Sequence, residues 1–341
     1  MTPSARPTIS IALCTYNGEA YLATQWQSLL EQHVLPDEIV VCDDQSTDNT
    51  VALLNRLAAD APFPVRILVN ATRLGFNKNF EKVLSECTGE LIFICDQDDC
   101  WFPEKVGLMT DFMVKHPATQ VAFCDAWVTD AQLKGRQSRF WSWVRFDESA
   151  RARWQSGNSM DVLLDGNRVM GCATVIRRSV LASILPIPGG IPGYIYDGWI
   201  ALVAAAQGTI QFVDQPLQLY RTHEKQQIGV GKDEDPVERI RLRDRFIRQR
   251  SLKLAPLREK QATLATISRL LAERVPGITP GMAQLHRQLA HFTMRSCLPH
   301  DRLRRFQPVI QGLRQGDYKR YADASANWYA PVLAALGDML E

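Results

Sequence analysis

Asp96, Asp98 and Asp99 fall within four positions of one another, directly after the apolar run Leu91–Cys95 in LIFICDQDDCWFPEK. Carboxylates this close repel one another and stay ionised together only beside a cation or several hydrogen-bond donors. Hard oxygen ligands suit Mg2+ or Mn2+, and either ion would bring a substrate diphosphate with it. The alternative use of the same residues is a solvated turn, or a cap for a helix opening near Pro103. Two more polar clusters follow apolar runs in the same way: TYNGE, Thr15 to Glu19, and DDQSTDNT, Asp43 to Thr50. Ser46, Thr47 and Asp48 are ordinary helix N-caps, whereas Asp44 can face a ligand and accept hydrogen bonds from a base imide or a ribose hydroxyl.

The elements that must position these groups are legible in the apolar pattern. TISIALC, DEIVVCD, PVRILV, ELIFICD and QVAFCDA are short apolar runs, and each of the first four leads into an amphipathic stretch. Near-continuous apolar strands alternating with helices predict an α/β domain with a mainly parallel sheet covered on both faces. In such a sheet ligands bind outside the carboxyl ends of the strands, and all three clusters fall at such an end. The pattern breaks over about 127–168, where Trp127, Trp141 and Trp143 stand among basic residues; a long segment of this kind is either a lid or a small packed subdomain. VMGCATVI reads as a strand leading to a helix near Arg178. The turn-rich PIPGGIPGY then leads to a helix in DGWIALVAAAQG and a strand in TIQFVDQPLQLYR. From about Asp235 the chain turns helical, with a boundary expected in KQQIGVGKDEDP.

With 341 residues, 46% of them hydrophobic, the chain has material for a large core. Its net charge of +2 conceals an asymmetry: Arg221 to Glu341 carries 22 Lys and Arg against 13 Asp and Glu, and the preceding part 17 against 24. A basic, helical last third suits a solvated surface or a contact with anionic lipid headgroups. It contains no recognition motif for nucleic acid, so nucleic acid is not an expected partner. The eight cysteines form no C-x-x-C pair, which predicts buried free thiols of a reducing compartment rather than disulfides or zinc. MTPSARPTIS lacks the apolar core of a signal peptide, and no apolar run approaches the ~20 residues of a membrane span. The expected location is the cytoplasm, with at most peripheral membrane contact.

ISIALCTYNGEAYL, EIVVCDDQSTDNT, LGFNKNFEKVL and DQDDCWFPEKV, in this order and followed by YDGW and LYRTHEKQQIG, resemble glycosyltransferase family 2, inverting enzymes of the Rossmann-like GT-A fold that use nucleotide-sugar donors. The resemblance covers residues 8 to about 225, and the last two motifs are most similar to the bacterial rhamnosyltransferase-like branch that builds cell-surface polysaccharides. It implies a GT-A domain over residues 1–230 followed by a basic helical region over 231–341. It also implies that Thr15, Tyr16, Asn17 and Glu19 lie along the nucleotide, that Asp44 reads a uracil or thymine ring, and that Lys78 approaches nucleotide or phosphate. Asp96 would contact the ribose or the metal shell. Asp98 would bind Mn2+ or Mg2+, with His223 as a further ligand.

The same resemblance makes Asp197 the base that takes the acceptor hydroxyl proton. Its place at the start of a helix suits that role, because the dipole favours the ionised carboxylate. Gly171 and Cys172 would line the acceptor side, with Trp199 stacking on a sugar or packing in the core. Gln226 stands where the family often has asparagine. The implied donor is dTDP-L-rhamnose or another UDP- or dTDP-sugar. The implied acceptor is a glycan or lipid-linked saccharide, with the protein at the inner face of the cytoplasmic membrane. A noncatalytic nucleotide-sugar-binding module of the same fold is the alternative.

Overall fold

The computed structural model describes residues 6–224, 226, 250–322 and 327–340, the side chains of 250–253 excepted. Five strands and four helices alternate through the first part of the chain: β1 Ile9–Thr15, α1 Glu19–Leu30, β2 Glu38–Asp43, α2 Thr50–Ala59, β3 Val65–Val69, α3 Phe76–Glu86, β4 Leu91–Cys95, β5 Cys100–Trp101 and α4 Lys105–Lys115. β6 Val121–Thr129, β7 Ser138–Arg139, α5 Phe140–Trp143, α6 Glu148–Gln155, α7 Ser159–Leu164, β8 Thr174–Arg177, α8 Leu181–Ile184, α9 Tyr196–Gln207 and β9 Ile210–Arg221 follow. The C-terminal helices are α10 Arg250–Ala272, α11 Pro280–Ser296, α12 Phe306–Arg314, α13 Asp317–Arg320 and α14 Ala330–Leu340.

The sheet runs in the order β3-β2-β1-β4-β8-β6-β9-β5, with β7 beside β6. β1, β2, β3 and β4 pair in parallel, β1, β2 and β4 as buried, nearly continuous apolar runs and β3 as a half-exposed edge, whereas β8 runs antiparallel between β4 and β6. The chain moves outward from β1 to β3 and then crosses back to β4, so the carboxyl ends of β1 and β4 flank a topological switch point, where a crevice opens. Because β8 is antiparallel to β4, its amino end lies at that same edge. β9 pairs in parallel with β6 and carries its own carboxyl end there as well.

The tryptophan-rich segment is a packed subdomain. Trp141, Phe146 and Trp154 meet Phe123 of β6 and Phe212 of β9 in edge-to-face and tilted contacts with centroids 5.0–6.4 Å apart, a geometry that aromatic quadrupoles favour. VMGCATVI opens with a 3-10 turn, Gly171–Ala173, before the strand. Apart from Gln226, the boundary segment KQQIGVGKDEDP lies outside the described residues, as does the basic stretch up to 249. Beyond it, Leu264, Ile267 and Leu271 of α10 and Met282, Leu285 and Phe292 of α11 belong to the same apolar core as the sheet. A second, small core of Leu298, Val309, Tyr318, Ala335 and Met339 joins the last helices to one another. Among the described residues no helix is long and apolar enough to cross a membrane.

Candidate active site

A cleft of about 1050 Å³ opens at the carboxyl edge of the sheet, lined by residues that include Thr15, Tyr16, Asn17, Asp44, Asp96, Asp98, Gly171, Asp197, His223 and Gln226. One end is built by the loops after β1 and β2. Asn17 holds a left-handed backbone, φ 48°, which a non-glycine residue keeps only when its surroundings fix it. They do: its amide donates to Ser46 Oγ and its Oδ1 accepts from the Thr47 amide, both at 2.8 Å. Gln97 bridges across from the β4 loop, accepting from the Tyr16 amide at 2.8 Å and donating to the Tyr16 carbonyl at 3.0 Å. The Arg73 guanidinium sits 4.0 Å from the centre of the Tyr16 ring. Asp44 sets that pairing, since its carboxylate accepts from the amides of Leu74 and Gly75 at 2.7 and 2.8 Å and from Asn70 Nδ2 at 3.0 Å. A carboxylate offers about four acceptor sites, so three protein donors leave room for one further bond.

The acidic cluster divides into two layers. Asp99 is fully buried and turned away from the cleft, accepting from the Arg221 amide and from Gln218 Nε2, each at 3.2 Å. Burial, together with the neighbouring Asp98 charge, pushes its carboxyl up to about 7. It is neither a helix cap nor a solvated turn. Cys172, also fully buried, stands behind it, and burial raises its thiol well above the usual range, with the Asp99 and Asp96 charges adding to the effect. Ligand atoms of Asp96, Asp99 and Cys172 lie within 4.8 Å of one another, but a protonated thiol and a carboxylate held by two donors make this the wall of the site. Beneath the wall, Lys105 is buried with its ammonium 3.5 Å from the centre of the Trp101 ring, donating to the Cys172 carbonyl and to Gln218 Oε1.

The cleft side of the cluster presents Asp96 and Asp98. Burial raises the Asp96 carboxyl strongly, and the charges of Asp98 and Asp99 raise it further. His223 follows β9 and brings Nε2 to 2.9 Å from Asp98 Oδ2; its ring stacks on Tyr21 with centroids 4.1 Å apart. Arg221 fixes the loop, its Nε donating to the Asp98 carbonyl at 2.6 Å. A divalent cation fits this donor set. It would relieve the repulsion between the carboxylates, and two ligand atoms 2.9 Å apart match neighbouring positions around an octahedral ion with bonds of about 2.1 Å.

Asp197 lies across the cleft in the first turn of α9. It accepts from the Gly198 amide at 2.6 Å, Asn167 Nδ2 at 3.0 Å and the Gly171 amide at 3.1 Å. The helix start was expected to favour the ionised form, but burial outweighs these donors and pushes the carboxyl up to about 6. Gly171 is there because nothing larger fits: a Cβ would stand 2.0 Å from the Tyr196 hydroxyl oxygen.

Four expected site residues stand elsewhere. Trp199 is buried, its Nε1 donating to the Ile184 carbonyl at 2.8 Å, so it packs in the core. Lys78 faces solvent in an ion pair with Glu81 at 2.7 Å. Glu19 braces the next loop by accepting from the amide and side chain of Asn49. Cys172 is walled off as described. Arg73, Gln97 and Asn167 line the cleft and Lys105 braces its wall; none was expected from the sequence, because each is placed by partners far away in the chain, which no local pattern announces.

Comparison with known proteins adds an independent finding. A family model described as Glycosyl transferase family 2 matches residues 10–185. An uncharacterised protein of Mycobacterium tuberculosis is 27% identical over 222 residues, 63% of this chain and 59% of that protein, so the match leaves about two fifths of that relative uncovered. The dTDP-rhamnosyl transferase RfbG of Shigella flexneri is 25% identical over 229 residues, 64% of this chain and 74% of its own. Among solved structures, TarS of S. aureus superposes with a TM-score of 0.52 at 14% identity, over 97% of this chain and 53% of that one.

Proposed function

The chain belongs to glycosyl transferase family 2, and from that premise we propose that it is an inverting, metal-dependent glycosyltransferase that moves a sugar from a UDP- or dTDP-sugar, foremost dTDP-L-rhamnose, to a glycan or lipid-linked acceptor of a bacterial surface polysaccharide. The observation that carries this reading is the placement of a buried carboxylate of raised pKa, Asp197, in one cleft with Asp96, Asp98 and His223. The likeness to RfbG supports the choice of donor.

The stacked pair of Tyr16 and Arg73 forms a wall against which the nucleobase lies, with the remaining acceptor site of Asp44 directed at its imide. Asp96, Asp98 and His223 would hold Mn2+ or Mg2+, which would supply positive charge against the diphosphate leaving group. Asn167, Gly171 and Gly198 orient Asp197, which takes the acceptor hydroxyl proton as that oxygen attacks the anomeric carbon. The basic C-terminal region remains the proposed route to a membrane-bound acceptor at the cytoplasmic face.

The test is nucleoside-diphosphate release, with donor binding by calorimetry, over UDP-, dTDP- and GDP-sugars with Mn2+ or Mg2+. One donor should bind and turn over, and EDTA or Asp98→Ala should abolish both. A folded protein that binds no donor would refute the assignment.

A further inference from the structure

The last helices carry an apolar face that the core does not use. In α12 the side chains of Phe306, Ile310 and Leu313 repeat at the spacing of one helical stripe, are 37–40% exposed, and are flanked by the polar edge of Gln307, Gln311 and Arg314. Val309 and Gly312 supply the fully buried contact, while the stripe keeps more than a third of its surface outside the core. Leu303, in the short turn before α12, is 81% exposed. α14 packs against both α12 and that turn and adds Val332 and Leu336, exposed one turn apart. Trp328, 89% exposed, and Tyr329 stand just before α14. Across 301–322 the exposed cations are Arg302, Arg304, Arg314 and Lys319, against a single exposed carboxylate, Asp301, which pairs with Arg304.

We propose that this face docks the protein on an anionic lipid surface, with the α12 stripe lying in the headgroup region and the cations on phosphate. Isolated surface hydrophobics are ordinary, but a contiguous apolar face rimmed by polar and basic residues marks an interaction site. Three features favour lipid over a protein partner. The apolar groups stand on convex helix faces, the tryptophan–tyrosine pair is the type enriched at membrane interfaces, and the charge excess is complementary to acidic headgroups. A few inserted side chains give only weak, reversible binding by themselves, so attachment needs both the stripe and the charge. The inference rests on the proposed function only for its purpose, which is to bring the cleft to a lipid-linked acceptor. It also narrows the membrane contact from the whole basic helical region after 231 to the last helices.

The experiment is co-sedimentation of the full chain with phosphatidylglycerol or phosphatidylcholine vesicles, alongside light scattering and donor calorimetry on the same samples. The chain should bind phosphatidylglycerol and not phosphatidylcholine. I310E with L313E should abolish binding, and R314A with K319A should weaken it by roughly twentyfold, about fivefold per cation. Donor affinity should be unchanged in both variants, because neither pair touches the cleft; donor calorimetry thus reports the fate of the functional reading separately. No binding to either vesicle, or binding that survives I310E with L313E, overturns the proposal. Self-association that the same pair dissolves, without vesicle binding, overturns it too and gives the face to a second copy.

Discussion

Asp197 is the proposed base, and its environment makes separate predictions for rate and for stability. A base held at about 6 is ionised at neutral pH and close enough to that pH to accept a proton well. With transfer followed as kcat/KM, the rate should be flat above about pH 6 and fall tenfold per unit below it. D197N should lower transfer by ~10²–10⁴-fold while leaving donor affinity intact; unchanged transfer would remove the assignment. The stability effect has the opposite sign. A carboxyl raised in the folded state makes folding harder once it ionises, so its penalty is absent below the ordinary value of 3.8, grows through the interval up to about 6 and is constant above. D197N should therefore be more stable than the parent at neutral pH by up to ~3 kcal/mol, a difference that disappears in acid, as read by urea titration at several pH values. G171A should mimic the loss of activity by another route, since its methyl would displace Tyr196 and with it the α9 start that holds Asp197.

At the scale of elements, local pattern and long-range pairing had different fates. β1, β2 and β4 and the helices after them were legible because a buried parallel strand must be apolar on both faces, and the DQDD and TYNGE clusters stand at the ends of those strands. The antiparallel insertion of β8, the short β5 and the sheet order were not legible, because they are contacts between segments up to about 120 residues apart. The place of Cys172 was not legible for the same reason, and the two alternatives for Trp199 stayed open until the fold chose the core: whether a side chain faces the cleft or the wall depends on which strand lies beside it. Lys105 shows the cost of such hidden contacts. It links α4 to the amino end of β8 and, through Gln218, ties β9 to Asp99. K105M keeps the aliphatic stem but strands a buried carbonyl and a buried amide oxygen, so it should cost ~2–5 kcal/mol in urea unfolding. A loss below ~1 kcal/mol would mean that the buried ammonium costs as much to desolvate as its bonds return.

For the whole molecule, the question is whether the helices after the undescribed stretch are an appendage or part of the core. Leu264, Ile267, Leu271, Val275, Met282, Leu285 and Phe292 are buried in the same cluster as the strands; α11 packs on α7 and α9, α10 packs on α11, and α9 is the helix that presents Asp197. At ~1.5–3 kcal/mol per buried side chain their burial amounts to ~10–20 kcal/mol as an upper bound, which matches or exceeds the net stability of ~5–15 kcal/mol usual for a domain. A chain ending at residue 230 should thus lose cooperative unfolding and donor binding together, although every cleft residue is still present. A chain ending at 297 removes the small second core and the ion pairs Arg320–Asp161, Arg295–Asp338 and Arg287–Asp317. Asp161 would then be opened to water rather than left charged in the interior, so the loss is modest. That shorter chain should melt cooperatively at a somewhat lower temperature, bind donor as the parent does, and no longer sediment with phosphatidylglycerol vesicles. Cooperative melting of the chain ending at 230 would show instead that α7 and α9 are satisfied without α10 and α11, and that the basic helical region is a separate unit.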